Sequence, residues 1–262
     1  MCLLVLAWRA TSAHRLVLVG NRDEFHARPA RAMHWWESPR LLAGRDLEAG
    51  GTWLGVDAAG RFAVVTNHRS PPYARMGRSR GELIPRFLAG AAAPLAFLES
   101  LQPEAAAYAG FSLLAGDHDE LAYFSNRDPA GPRALAPGVY GLSNALLDTP
   151  WPKLTRTRDR LEALLDAAPP EPAPLAAEPL LDLLIDRERA ADADLPDTGV
   201  GRERERWLSA PFIVGEDYGT RCTTALLLRE DGTGEVVERS YERDGSAAAL
   251  QRYALPGPSP GP

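Results

Sequence analysis

The order of apolar runs along this chain limits its fold more tightly than any single residue does. Cys2–Arg9 and Leu16–Gly20 are short apolar runs separated by the turn-like Ala10–Arg15, a spacing that predicts a β-hairpin. Further hairpins are predicted over Trp53–Asp57 and Arg61–Thr66, and over Phe111–Ala115 and Leu121–Phe124. A last one is predicted over Thr223–Leu228 and Glu235–Tyr241, turning through Asp231–Gly234. Helical composition is confined to the middle. Gly81–Ala107 predicts one or two helices broken near Pro94 and Pro103, and Lys153–Ala167 places Leu154, Leu161, Leu164 and Leu165 at helical spacing. A Pro/Ala/Glu loop, Ala168–Pro179, precedes a further predicted helix, Leu180–Ala190. The strand–helix alternation of a doubly wound sheet is missing. The expectation is therefore an α+β layered fold in a single domain over residues 1–254, its first and last hairpins sharing a sheet. The Pro/Gly-rich tail 255–262 is expected to be disordered. Phe25–Gly51 shows no clean periodicity, so it holds either functional loops or an unrecognised strand.

Composition removes several function classes. Hydrophobic residues make up 45% of the chain, enough for a sizeable core. A formal net charge of −6 offers no basic field to nucleic acid or an anionic membrane. The apolar opening lacks a basic leader, Arg9 interrupts it, and no stretch reaches the roughly 18 apolar residues of a membrane helix. No stable membrane insertion is expected. Two cysteines, Cys2 and Cys222, are too few for a disulfide scaffold and fit a reducing cytoplasm.

Cys2 is the first candidate for chemistry. Loss of Met1 would leave a free α-amine on a thiol-bearing residue. With a reference pKa of roughly 7.7 to 8, that amine can act as a base near neutral pH. Taken alone, Cys2 reads first as a small apolar residue of a buried strand. Asn21-Arg22-Asp23-Glu24 stands where the second strand should end, and could bring a cation and a carboxylate beside Cys2, or be a solvated charge cluster. Gly44-Arg45-Asp46 and Gly50-Gly51-Thr52-Trp53 permit close backbone approach but match neither a P-loop nor a dinucleotide fingerprint. Asn67 follows the predicted strand Arg61–Thr66 and Asn144 follows a Pro/Gly-rich loop in Gly141-Leu142-Ser143-Asn144, each as an oxyanion donor or a turn residue, and Arg221 opens the last hairpin. The five histidines show no zinc-protease spacing, and no Gly-x-Ser-x-Gly elbow is present. No metal and no cofactor are expected.

In order, Met1-Cys2, Asn21-Arg22-Asp23-Glu24, Arg28-Pro29, Gly44-Arg45-Asp46, Gly50-Gly51-Thr52-Trp53 and Thr66-Asn67 resemble the NRDE family. It is also called the transport and Golgi organisation protein 2 family. Gly110-Phe111-Ser112-Leu113, Ser125-Asn126-Arg127, Gly141-Leu142-Ser143-Asn144 and Gly219-Thr220-Arg221 extend the resemblance to about Tyr241. It implies a four-layer αββα N-terminal-nucleophile hydrolase-like sandwich of two antiparallel sheets flanked by helices. The similar bile-salt and penicillin-V amidases imply Cys2 as nucleophile, with Arg22, Asp23, Asn67, Asn144 and Arg221 around it and a small-molecule amide as substrate. Two departures stand out. Arg22 and Asp23 are adjacent, so a regular strand turns them to opposite faces and Glu24 competes for the carboxylate role. Cys222 stands beside Arg221 where the family usually has another small residue. The rival reading is a non-catalytic carrier or trafficking protein, with Trp8, Trp35, Trp36 and Trp53 holding haem or another apolar ligand.

Overall fold

Apolar side chains build two sheets whose central strands are buried on both faces. The computed structural model describes residues 3–71, 77–167 and 175–257. Its chain opens with β1 (Leu3–Trp8), β2 (Leu16–Phe25), β3 (Ala30–Trp35), β4 (Leu42–Asp46), β5 (Leu54–Val56) and β6 (Phe62–Asn67). Two helices follow, α1 (Leu83–Ala89) and α2 (Pro94–Leu101), then β7 (Phe111–Gly116), β8 (Leu121–Ser125), β9 (Arg133–Ala134) and β10 (Gly138–Leu142). Helices α3 (Pro152–Asp166), α4 (Ala177–Leu183) and α5 (Arg202–Leu208) lead to β11 (Tyr218–Leu228), β12 (Gly234–Tyr241) and β13 (Ala247–Leu255). One sheet runs β10-β1-β2-β11-β12-β13 and the other β3-β4-β5-β6-β7-β8-β9, with antiparallel neighbours throughout. The first and last hairpins do share a sheet.

The period of two sorts the core into layers. Leu4, Leu6, Trp8, Leu18 and Leu226 of the first sheet meet Leu42, Leu54, Phe62, Val64 and Leu114 of the second. Their neighbours Leu3, Val5, Val17, Val19 and Leu227 turn outward against Leu154 and Leu161 of α3 and Leu180 and Leu181 of α4. On the far side, α1 and α2 press Ile84, Phe87 and Leu98 onto Val65, Leu113 and Phe124. Each fully buried leucine or phenylalanine stabilises the fold by about 1.5–3 kcal/mol. The result is the expected α+β, αββα sandwich.

Several boundaries differ from expectation. β2 continues past Gly20 to Phe25, because Asn21 to Phe25 pair with β11. Buried Asn21 donates to the carbonyls of Leu184 (3.2 Å) and Pro211 (2.9 Å) and accepts from Thr223 Oγ1 (2.6 Å). That bond to Leu184 occupies a carbonyl just beyond the end of α4, which stops there rather than running to Ala190. Phe25–Gly51 contains β3 and β4. At the other end, β13 pairs with β12 as far as Leu255, so the ordered sheet outlasts the expected start of the tail; residues 258–262 lie outside the described residues. Part of the predicted 168–179 loop, residues 168–174, also lies outside them, and Ala177–Pro179 form the first turn of α4. Among the described residues no helix is long and apolar enough to cross a membrane.

Candidate functional site

The motifs around Arg22, Arg28, Asp46 and Gly51–Trp53, scattered in sequence, converge on one cavity. Arg22 sits on the inter-sheet face of β2, its guanidinium 4.3 Å from the centre of the Trp53 ring. That ring lies on the backbone of Gly44: a Cβ there would be 2.3 Å from it, so only glycine fits without moving Trp53. Gly51 is equally constrained, since a Cβ would meet the Gly81 backbone at 2.4 Å, and the Thr52 N–H donates to Gly81 O. Asp46 caps the turn between β4 and Gly51 by accepting the N–H groups of Glu48 and Ala49. Arg28 clamps that turn through Asp46 Oδ2 (2.6 Å) and Glu48 Oε1 (2.7 Å), and Arg22 stands 4.0 Å from Asp46. Burial would raise the Asp46 pKa, but the bonds from Arg28 and the backbone outweigh it and hold the carboxyl below its usual value. These groups, with Glu24, Arg78, Arg80 and Val65, line a cavity of about 240 Å³ whose wall is mainly polar and charged.

The asparagines form a second cluster. Asn67 ends β6 in one sheet and Asn144 follows β10 in the other, yet Asn144 Nδ2 donates to Asn67 Oδ1 at 2.8 Å. The two sheets are thus tied side chain to side chain at this end. Arg69 supports the pair, donating its backbone N–H to Asn144 O (2.7 Å) and Nη2 to Asn144 Oδ1 (3.1 Å). Behind Arg69, Nη1 meets Glu205 Oε2 at 2.9 Å, and the guanidinium lies 4.9 Å from the Trp151 ring centre. Glu205 in turn accepts from the N–H and hydroxyl of Thr198.

Asp23 and Arg221 stand differently. Adjacent to Arg22 on a regular stretch of β2, Asp23 turns to the opposite face, where its Oδ1 accepts from Thr220 Oγ1 at 2.7 Å. Glu24 returns to the cavity side. Arg221 occupies a bulge in β11 between Thr220 and Cys222 and donates to the carbonyls of Phe25 (3.1 Å), His26 (3.4 Å) and Arg28 (3.5 Å). It therefore secures the loop that carries Arg28 rather than lining the cavity. Cys2 lies outside the described residues. Cys222 is buried in the inter-sheet core, where burial first, and the neighbouring Glu238 next, push its thiol well above the usual range. The tryptophans do not share one pocket: Trp8 and Trp53 belong to the inter-sheet core and Trp36 to the opposite face of its sheet.

Sequence reasoning missed Arg69, Glu205 and Glu238. Arg69 follows Asn67 by two residues, a signal of proximity only, and Glu205 is brought to it from 136 residues away. Glu238 shares strand parity with inward-facing Val236, which was a readable sign of a buried acid.

Comparison with known proteins returns a consistent set. The family described as "Transport and Golgi organisation 2" matches residues 1–243. The Transport and Golgi organization protein 2 homolog of Bos taurus is 39% identical over 245 residues, covering 87% of each chain. The Homo sapiens homolog is 35% identical over 245 residues with the same coverage. Transport and Golgi organization protein 2 of Drosophila melanogaster is 25% identical over 248 residues, covering 87% of this chain and 86% of its own. Among solved structures, the C2A mutant of the conjugated bile acid hydrolase from Clostridium perfringens superposes with a TM-score of 0.50 at 10% identity, covering 97% of this chain and 92% of that one. At that identity the likeness is one of fold.

Proposed function

This chain belongs to the Transport and Golgi organisation 2 family, and on that premise we propose that it hydrolyses non-peptide carbon–nitrogen amide bonds by acyl transfer through Cys2. The observation that supports the reading is a pair of strand registers. β1 pairs Leu4 with Leu142 on one side and Leu3 with Asn21 on the other. Continued by two residues on the β10 side and by one on the β2 side, the registers would set position 2 between Asn144 and Arg22, beside the Asn67 amide and the charged cavity.

The same counting bears on the opposed faces of Arg22 and Asp23. A thiol at position 2 would share the inter-sheet face with Arg22, whose positive charge favours thiolate. On the same continuation, the α-amine would be a backbone group in the plane of the sheet, one step toward the position opposite Asp23. A carboxylate on the other face would reach such a group as readily, which assigns Asp23 to orienting the amine in this reading while Glu24 lines the cavity.

In the first step the Cys2 sulfur attacks the amide carbonyl carbon, and its proton passes to the α-amine. The oxyanion is held by an amide N–H of the asparagine pair. The amine then returns the proton to the leaving nitrogen as the carbon–nitrogen bond breaks, leaving a thioester and a free amine. Water, deprotonated by the same amine, attacks the thioester and releases the carboxylic acid and the thiol.

Two measurements test this. Intact mass of the purified protein should show Met1 removed, and retained Met1 would exclude the mechanism. A panel of acyl-amino acids and acyl p-nitroanilides should be turned over by the wild type and not by Cys2→Ala. Absence of turnover, together with haem binding that survives Cys2→Ala, would favour the carrier reading.

A further inference from the structure

Asn67 and Asn144 could in principle exchange a hydrogen bond in either direction, because each amide carries both a donor and an acceptor end. Arg69 removes that freedom. A guanidinium only donates, so the end of Asn144 facing it at 3.1 Å must be the oxygen. The Asn144 nitrogen is then turned to Asn67, donating to Oδ1 at 2.8 Å and approaching the Asn67 carbonyl at 3.4 Å. Asn67 must present its oxygen to Asn144, which leaves Nδ2 directed elsewhere. Among the described residues no acceptor engages it. Burial differs in the same sense: Asn144 is 3% exposed, whereas Asn67 is half-buried.

Arg69 is itself fixed. Its side chain is 8% exposed, it lies against Trp151, and its other nitrogen is paired with the Glu205 carboxylate, whose second oxygen is held by Thr198. The buried pair prevents the guanidinium from turning away, and the backbone bond from Arg69 N to Asn144 O keeps the two residues in register.

We propose that Arg69, anchored by Glu205, is a positioning residue that sets the polarity of the asparagine chain, so that Asn67 rather than Asn144 offers the free side-chain N–H to the oxyanion. The proposal rests on the acyl-transfer reading for its catalytic meaning; the polarity itself does not depend on turnover. Removing Arg69 leaves the Asn144 amide free to flip, and a flipped Asn144 would turn the Asn67 donor inward. Lysine at 69 can donate to Asn144 but cannot hold Glu205 in the same fork, so it should restore function only in part.

The test compares two reactions at Cys2. Acylation by a p-nitroanilide builds an oxyanion; alkylation by iodoacetamide, a displacement at saturated carbon, does not. Asn67→Asp, which keeps the acceptor oxygen but loses the donor, should lower kcat for acylation by about 100-fold or more. Arg69→Met should lower it by about 10-fold with KM nearly unchanged, and Arg69→Lys should recover part of that loss. Alkylation of the Cys2 peptide, read by mass spectrometry, should keep its wild-type rate in both Arg69 variants, and in Asn67→Asp, where the new carboxylate disfavours the thiolate, it should fall by far less than acylation does. Equal losses in both reactions, or an unaffected kcat in Asn67→Asp, would overturn the proposal. Should the wild type acylate with no p-nitroanilide, the hydrolase reading fails while the polarity is still read by nitrogen-15 NMR. The Asn144 side-chain protons should exchange more slowly than those of Asn67, and Arg69→Met should abolish the difference. Equal exchange in the wild type would overturn the proposal independently of turnover.

Discussion

Glu238 is a carboxyl group with 1% of its surface exposed, and its environment decides how the protein answers to pH. Burial pushes its pKa up, opposed by the bonds it accepts from Met33 N (2.7 Å) and Thr224 Oγ1 (3.1 Å) and by the Cys222 thiol and Arg22 nearby. The net shift is upward from the ordinary 4.5. A folded-state pKa above the unfolded one contributes stability that is complete in acid and is lost as pH rises through the folded value. Glu238→Gln keeps the shape and an acceptor for Met33 and removes the titration. Relative to wild type it should therefore become progressively more stable from pH 4 to pH 8, read as the difference in Tm between the two proteins across that range. A constant difference would show that folding does not shift this titration, and a trend of opposite sign that the ionised form is the one favoured by the fold. The inward position of Glu238 was legible in the alternation of β12. Its partner Met33 was not, because that residue arrives from the other sheet.

At the scale of elements, the hairpins were legible because each carries its own period and turn. The misses share a physical cause: β3, β4 and β13 take their partners, not their pattern, from the rest of the molecule. β3 is the clearest case. Its register against β4 shifts between Arg31 and His34, and within that shift both polar groups of Met33 leave the ladder. Met33 N–H goes to Glu238, and Met33 O accepts from Tyr253 OH at 2.8 Å, both from the opposite sheet. No local reading of the sequence predicts a strand whose hydrogen bonds are finished by side chains 205 and 220 residues away. The glycine motifs, by contrast, were readable as close approaches without revealing what approaches. At Gly44 it is Trp53, the surface on which Arg22 rests. Gly44→Ala should force that ring aside at a cost of about 1–3 kcal/mol. Denaturant unfolding should report the loss and tryptophan fluorescence of the folded state the displacement. Unchanged fluorescence and stability would mean that the ring does not brace the Arg22 wall.

On the whole-molecule scale, the site depends on how two sheets are held in relation to one another. Apolar contact between them is non-directional and leaves sliding inexpensive, so alignment falls to the few polar bonds that cross. At the cavity end, Asn144 meets Asn67. At the opposite end Arg15, fully buried at the start of β2, donates to Gly60 O (3.1 Å) and to Asp117 O, closing two turns of the second sheet onto the first. Gly60 has φ of 79°, and a Cβ there would be 2.5 Å from the guanidinium, so the turn and the arginine fit one another. The sequence disclosed only the Gly60 turn; a buried arginine at position 15 resembles any other turn cation until both sheets exist. Arg15→Ala strands one buried and one partly buried carbonyl and removes charge-assisted bonds, which should cost about 3 kcal/mol or more. Because this clamp is remote from Arg22, Asn67 and Asn144, the variant should bind or turn over ligand normally per folded molecule at 20 °C while melting lower than wild type. Calorimetry and alkylation of the Cys2 thiol on the same sample separate the two effects. A fall in both together would mean that the far clamp, and not the local Arg69 network, fixes the alignment of the sheets at the site.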